Sequence, residues 1–186
     1  MNSFRLNMVL MASLCVSGSI FFAAPVYCGD LPKKGDILPP MELQAPSSEK
    51  EMAYLGITGQ TFRLGDIPCK LLLLEVIGVY CPACYRQAPL FNTLFNRIEK
   101  GKLEGQVKMV AVAAGGSVPE LQYLKEQGLY YFPVAPDPSF TAHKLLGEPR
   151  TPFTLLVNPQ GKVLHTHLGV VEDIDAFQKL ITGLVH

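Results

Sequence analysis

Cys81-Pro-Ala-Cys84 is the pair in this 186-residue chain whose spacing points most directly to chemistry. Two thiols three positions apart can close a disulfide and open it again. Ahead of them runs Leu71-Leu-Leu-Leu-Glu-Val-Ile77, continuous and apolar except for one acid, the pattern of a strand buried on both faces. Behind them Phe91, Leu94, Phe95 and Ile98 recur at helical spacing and mark an amphipathic helix that ends near Gly101. A strand therefore delivers Cys81 to a helix N-terminus. Unpaired N–H groups and the helix dipole there favour a thiolate, the species that attacks disulfides. Pro82 suits the first helical turn, where its missing N–H has no intrahelical partner. Cys84, one turn further in, is expected to be more buried and to attack a mixed disulfide held on Cys81. A zinc site would need a second Cys or His pair, and Cys69 with four scattered histidines supplies none at the usual spacing. A purely structural disulfide over so short a loop would constrain little of the unfolded chain.

Glu75 is the second residue with chemical promise. It lies six positions before Cys81 in a strand otherwise made of Leu, Val and Ile. An ionised carboxylate in that setting is costly, so its pKa should rise toward the working pH, where it can take a proton from Cys84. The competing arrangements are a carboxylate at a polar edge, or one paired with Lys108 on a neighbouring strand. Cys69 reads as a packed small side chain rather than a third redox centre. His165 and His167 fall on one strand face and read as surface residues, without a third ligand for a metal.

The supporting elements follow from apolar runs and their breakers. Phe62–Leu64 suggests a brief strand, and Val107–Ala113 a second apolar strand closed by Gly115-Gly116. Val118, Leu121 and Leu124 suggest a helix ending at Gly128, and Ser139–Leu146 a shorter one. Phe153–Val157 and Lys162–Leu168 form a hairpin around Asn158-Pro-Gln-Gly161, and Ile174 to Leu184 a closing helix. Pro89 inside the first helix is expected to kink it. Residues 29–60, rich in Pro and Gly, read as an irregular N-terminal extension with one or two short strands before a domain over 61–186. The expected fold class is α/β, with a central mixed sheet flanked by helices. A strand–helix–strand unit opening on Cys-x-x-Cys is a thioredoxin-like arrangement.

Residues 1–28 carry Arg5 as their only charge and a long apolar stretch, the pattern of a secretory signal cleaved after Cys28. Left uncleaved, residues 6–24 would anchor the chain in a membrane. Either way the globular part is expected outside the cytoplasm, in the periplasm. The whole chain balances 16 Lys+Arg against 16 Asp+Glu, which argues against a nucleic-acid binder. At 48% hydrophobic and 17% charged residues it has the composition of a folded domain.

Arg150-Thr151-Pro152 before the Phe153 strand resembles the thioredoxin superfamily, in which a cis proline faces the Cys-x-x-Cys. Gly35-Asp-Ile-Leu-Pro-Pro, Phe132-Pro-Val-Ala-Pro-Asp-Pro138, Thr151-Pro-Phe-Thr-Leu-Leu-Val157 and Pro159-Gln-Gly-Lys162 resemble blocks of the periplasmic TlpA/ResA-like thiol–disulfide oxidoreductases. The likeness covers about residues 35–186, and within it Glu75 stands at the position of thioredoxin's buried Asp. The chain departs from the family at Tyr80, where Trp is usual, and at Pro82-Ala83 between the cysteines. The potential is thus expected anywhere between about −270 and −120 mV.

The resemblance implies an exported thiol–disulfide oxidoreductase without a cofactor or metal. In it Cys81 attacks, Cys84 resolves and Glu75 moves the proton. Thr151 and Pro152 present backbone to an extended substrate, and Tyr80 packs beside Cys81 as docking surface. The expected partners are a disulfide-containing protein, cytochrome c apoproteins among the candidates, and a membrane electron donor. Two rivals stand beside it. A peroxiredoxin would need Thr or Ser three residues before its reactive cysteine, where this chain has Gly78. A Sco-like copper module uses Cys-x-x-x-Cys plus His, one residue longer than the spacing here.

Overall fold

A computed structural model describes residues 30–185, so the signal or anchor expected over residues 1–28 lies outside the described residues. The first elements are β1 (Glu42–Gln44), α1 (Glu49–Leu55), β2 (Thr61–Arg63), β3 (Leu71–Gly78) and α2 (Pro82–Glu99). Then follow β4 (Val107–Ala114), α3 (Val118–Glu126), β5 (Val134–Asp137), α4 (Thr141–Leu145), β6 (Phe153–Val157), β7 (Val163–Leu168) and α5 (Ile174–Val185). Five strands form a mixed sheet in the order β5-β4-β3-β6-β7, with β3, β4 and β5 mutually parallel, β6 antiparallel to β3, and β7 antiparallel to β6. Among the described residues no helix is long and apolar enough to cross a membrane.

The sheet sits between two apolar layers, and alternate residues of β3 feed each. Leu71, Leu73 and Ile77 pack with Phe91, Leu94 and Ile98 of α2, Leu121 and Leu124 of α3, and Phe177 and Ile181 of α5. Leu72, Leu74 and Val76 pack on the opposite side with Leu43 of β1, Leu55 of α1, Phe62 of β2 and Ala142 of α4. Each fully buried Leu or Ile contributes about 1.5–3 kcal/mol, so the run from Leu71 to Ile77 fixes the sheet's centre. The stacked rings of Phe91 and Phe177, 6.1 Å apart, hold α2 against α5.

Two elements differ from the sequence reading. The stretch over 29–60, read as irregular with short strands, also contains helix α1, capped by Gly56 in the left-handed conformation at φ 67°. Its Leu38, Met41, Leu43, Leu55 and Ile57 pack into the sheet's core layer. The edge strand β5 was hidden by Pro133, Pro136 and Pro138. An edge position tolerates proline because one side of the strand has no ladder to complete. Helix α2 continues across Pro89, which lies on its exposed side. The hairpin between β6 and β7 turns as its composition suggests: Asn158 Oδ1 accepts from the N–H groups of Gln160 and Lys162.

Candidate active site

Cys81 is the N-cap residue of α2 and is paired with Cys84 in a disulfide, their Cα atoms 5.2 Å apart. It reaches that place through a short turn, its N–H donating to the Gly78 carbonyl at 3.2 Å. The Cys84 N–H points at Cys81 Sγ from 3.1 Å, one of the unpaired donors of the first helical turn. Once the disulfide opens, that donor and the helix terminus favour negative charge on Cys81. The two sulfurs differ in access: Cys81 is half-buried and Cys84 is closed off from solvent.

Thr151 and Pro152 arrive from the loop before β6, and the peptide between them is cis. Pro152 is buried and Thr151 half-buried, with the Thr151 carbonyl oxygen 3.3 Å from Cys81 Sγ. Gly78 makes room for this approach. A Cβ there would meet Thr151 Oγ1 at 3.2 Å and Cys81 Cβ at 3.3 Å. Tyr80 is 79% exposed beside Cys81, and its hydroxyl donates to Glu120 Oε1 at 2.8 Å. That hydrogen bond pushes the phenol pKa up, so Tyr80 stays protonated. The Tyr85 hydroxyl donates to the Val79 carbonyl and ties the turn to α2.

Glu75 lies wholly buried on the α2 face of the sheet, opposite Ala111 of β4 and Thr154 of β6. Lys108 is not its partner. That lysine pairs in register with Leu72, and its Nζ sits 4.0 Å above the Tyr54 ring. Glu75 Oε1 instead accepts from Gln87 Nε2 at 2.6 Å, while Oε2 has no hydrogen-bond partner. Burial pushes the carboxyl up to about 8, against the pull of the Gln87 hydrogen bond toward the charged form. A buried acid with that midpoint exchanges its proton near neutral pH.

Gln87 was not singled out in the sequence, although it carries the site's main buried polar link. It follows Cys84 by three residues and so falls on the same helix face. Its amide oxygen accepts from the Val171 N–H at 2.8 Å, joining β3, α2 and the loop before α5. A polar residue between Cys84 and Phe91 on an otherwise apolar stripe was the available signal. Cys69, half-buried at the far end of β3, has its thiol pKa raised by burial, with Lys108 pulling the other way. It stands apart from the cysteine pair. His165 and His167 are half-buried rather than on the open surface, His165 packing against Phe177 at 6.0 Å between ring centroids.

The arrangement combines one accessible sulfur, one enclosed sulfur and a protonatable buried carboxyl joined to the same helix. Known proteins share its frame. The thiol-disulfide oxidoreductase ResA of Halalkalibacterium halodurans is 28% identical over 130 residues, which span 67% of this chain and 70% of that protein. The structure named for DsbE of Chlorobium tepidum superposes with a TM-score of 0.65 at 24% identity, covering 84% of this chain and all of that one. Peroxidoxin BcpB of Mycobacterium tuberculosis gives 0.60 at 18% identity, covering 82% and 96%, so the fold by itself is common to both chemistries. The sequence pattern of the Redoxin family matches residues 35–181, and the chain belongs to that family.

Proposed function

We propose that this protein reduces disulfide bonds in other proteins outside the cytoplasm, with Cys81 attacking, Cys84 resolving and Glu75 accepting the resolving proton. The observation that carries the reading is the contrast in access along one helical turn. Cys81 is half-open beside the Thr151 carbonyl, Cys84 is enclosed, and Glu75 is bonded to Gln87 one turn beyond. The Cys81 thiolate attacks a substrate disulfide, forms a mixed disulfide and expels one substrate thiolate. Cys84 gives its proton to Glu75 and attacks Cys81 Sγ, which breaks the mixed disulfide and expels the second thiolate. Two electrons pass to the substrate, and the Cys81–Cys84 disulfide remains.

Thr151 and Pro152 offer the edge along which an extended substrate segment lies, and Tyr80 supplies apolar surface beside Cys81. The substrate class is a disulfide-bearing protein, cytochrome c apoproteins among them, and a membrane electron donor restores the dithiol. The apolar stretch over residues 6–24 supports the extracytoplasmic setting, either as a cleaved signal or as an anchor. Relatives named for thiol–disulfide exchange support the reaction class. Gly78, three residues before Cys81, lacks the hydroxyl that the peroxide reading requires.

Trapping tests the assignment. Cys84→Ser should accumulate a mixed disulfide on Cys81 that does not resolve, and Cys81→Ser should trap nothing. Alkylation of the reduced protein should label Cys81 first. Faster labelling of Cys84, or rapid hydrogen peroxide consumption by the dithiol, would sink the proposal.

A further inference from the structure

Glu75 poses a problem that its own bonds do not solve. Resting on the reaction proposed above, each turnover leaves the Cys84 proton on a carboxyl with no exposure to solvent. That proton must leave before the next cycle. Gln87 offers no way out. Both ends of its amide are engaged, by Glu75 and by the Val171 N–H, and an amide does not pass protons on. Tyr130 feels the Glu75 charge, but its hydroxyl is itself buried and without a partner.

The sheet register offers another direction. Glu75 on β3 stands opposite Thr154 on β6, and Thr154 stands opposite His167 on β7. Residues directly opposite in antiparallel strands share one face, with Cβ atoms about 4.5–5.5 Å apart. The three side chains therefore form a row from the centre of the sheet to its edge. Thr154 is fully buried, and its Oγ1, like Glu75 Oε2, has no hydrogen-bond partner. Two orphaned polar atoms on adjacent residues are the setting in which a buried water is held, bonded to both.

At the outer end His167 is half-buried, and its Nε2 lies 3.1 Å from the Val170 carbonyl. A carbonyl only accepts, so Nε2 carries the hydrogen and Nδ1 of the neutral ring keeps its lone pair. Nδ1 is thus the ring atom left free to receive a proton at the rim. We propose that Thr154 and His167 are relay residues that carry the Glu75 proton to solvent along the β3–β6–β7 row. The Glu75 carboxylic acid passes its proton through the bridging water to the Thr154 hydroxyl, and that hydroxyl, without a partner at rest, donates to His167 Nδ1 when side-chain motion brings the two within reach. The imidazolium then releases a proton to bulk water. No electrons move, and Glu75 returns to the carboxylate.

Reduced protein mixed with an aromatic disulfide whose leaving thiol stays ionised gives two separable signals in stopped flow. Absorbance follows thiolate release, and a pH dye in weak buffer follows the proton. Near pH 8, close to the Glu75 midpoint, both should rise together in the wild type. In Thr154→Val and His167→Ala the proton should lag behind thiolate release by roughly tenfold, less than the loss of the base itself. Added imidazole should remove the lag in His167→Ala. Thr154→Ser, which keeps the hydroxyl, and His165→Ala, which lies outside the row, should behave as wild type. Proton release without a lag in both relay variants would overturn the relay. If Glu75→Gln still slows thiolate release in the same experiment, the base role stands without it; if Glu75→Gln changes nothing, both fail.

Discussion

Asp137 and Glu75 are both buried carboxylates of the central sheet, and their surroundings are opposite in kind. Asp137 closes β5 and faces the first turn of α4. Its Oδ1 accepts from the Thr141 and Ala142 N–H groups at 2.7 and 3.2 Å, and its Oδ2 from His143 at 3.0 Å. Both oxygens are engaged by donors that a helix start leaves unpaired. Glu75 lies mid-strand, where neighbouring N–H groups are committed to the sheet, and one side-chain amide serves one of its oxygens. Burial alone therefore does not decide what a carboxylate is for. Converging backbone donors make a structural anchor of it. Too few donors leave a proton that can come and go.

The largest effect is expected from Glu75→Gln, which keeps the shape and removes the base. The resolving step should slow by about 10²–10⁴, with mixed disulfide building up transiently at neutral pH. Raising the pH should recover much of the rate as hydroxide takes over from the carboxylate. Stopped-flow traces from pH 6 to 9 would measure this, and an unchanged resolving rate would reduce Glu75 to a structural acid. Stability should carry the same signature. The folded midpoint, about 8, lies above the unfolded one, so between the two the folded state holds the extra proton. The wild type should therefore lose stability as pH rises through that window, by a slope approaching about 1.4 kcal/mol per unit. Glu75→Leu should flatten the slope in urea melts, with stability at neutral pH equal or higher.

A smaller effect tests the one bond that Glu75 does have. The Gln87 amide donates to the carboxyl and favours its charged form, so removing it should push the carboxyl further up. A hydrogen bond to a charged group is worth about 1.5–3 kcal/mol, or roughly one to two pH units. Gln87→Met should shift the pH profile of the resolving step to the alkaline side by about one unit. At neutral pH that amounts to roughly tenfold in rate. Recovery of the full wild-type rate at high pH would mark Gln87 as a positioning residue. A uniform loss at every pH would instead mean that the helix had moved, and the role would fall.

What the sequence disclosed and what it withheld divide along the same line. The strand before the cysteines, the helix after them and the odd acid between Leu74 and Val76 are local patterns, and they are legible in one dimension. So is the difference in burial between Cys81 and Cys84, because it follows from one helical turn. The partner of Glu75 is not local. Whether it was Lys108 or something else depended on register, and β4 places Lys108 beside Leu72 instead. Thr154 and His167 belong to one row with Glu75 only through the pairing of three strands that are distant in sequence. The helix α1 and the strand β5 were obscured for another reason. Both lie in proline- or glycine-rich stretches, where local propensity is overruled by packing against the sheet.

The smallest expected change in rate comes from the other carboxylate. Asp137→Ala removes the acceptor for three N–H groups at the start of α4, a helix of five residues that has few other bonds to lose. Leaving such donors without partners costs about 1–3 kcal/mol. In a chain of this size that lowers Tm by roughly 2–4 °C per kcal/mol. Asp137→Asn should fall between Asp137→Ala and the wild type, since one oxygen can still accept from Thr141 and Ala142 while the new NH₂ faces the His143 N–H. The intramolecular resolving step should remain within about twofold of wild type in both variants, because no proton of the reaction visits Asp137. Thermal melts and stopped-flow kinetics on the same preparations separate the two properties. A slowed resolving step in Asp137→Asn without loss of stability would erase the contrast, since the anchoring carboxylate would then be moving protons as well.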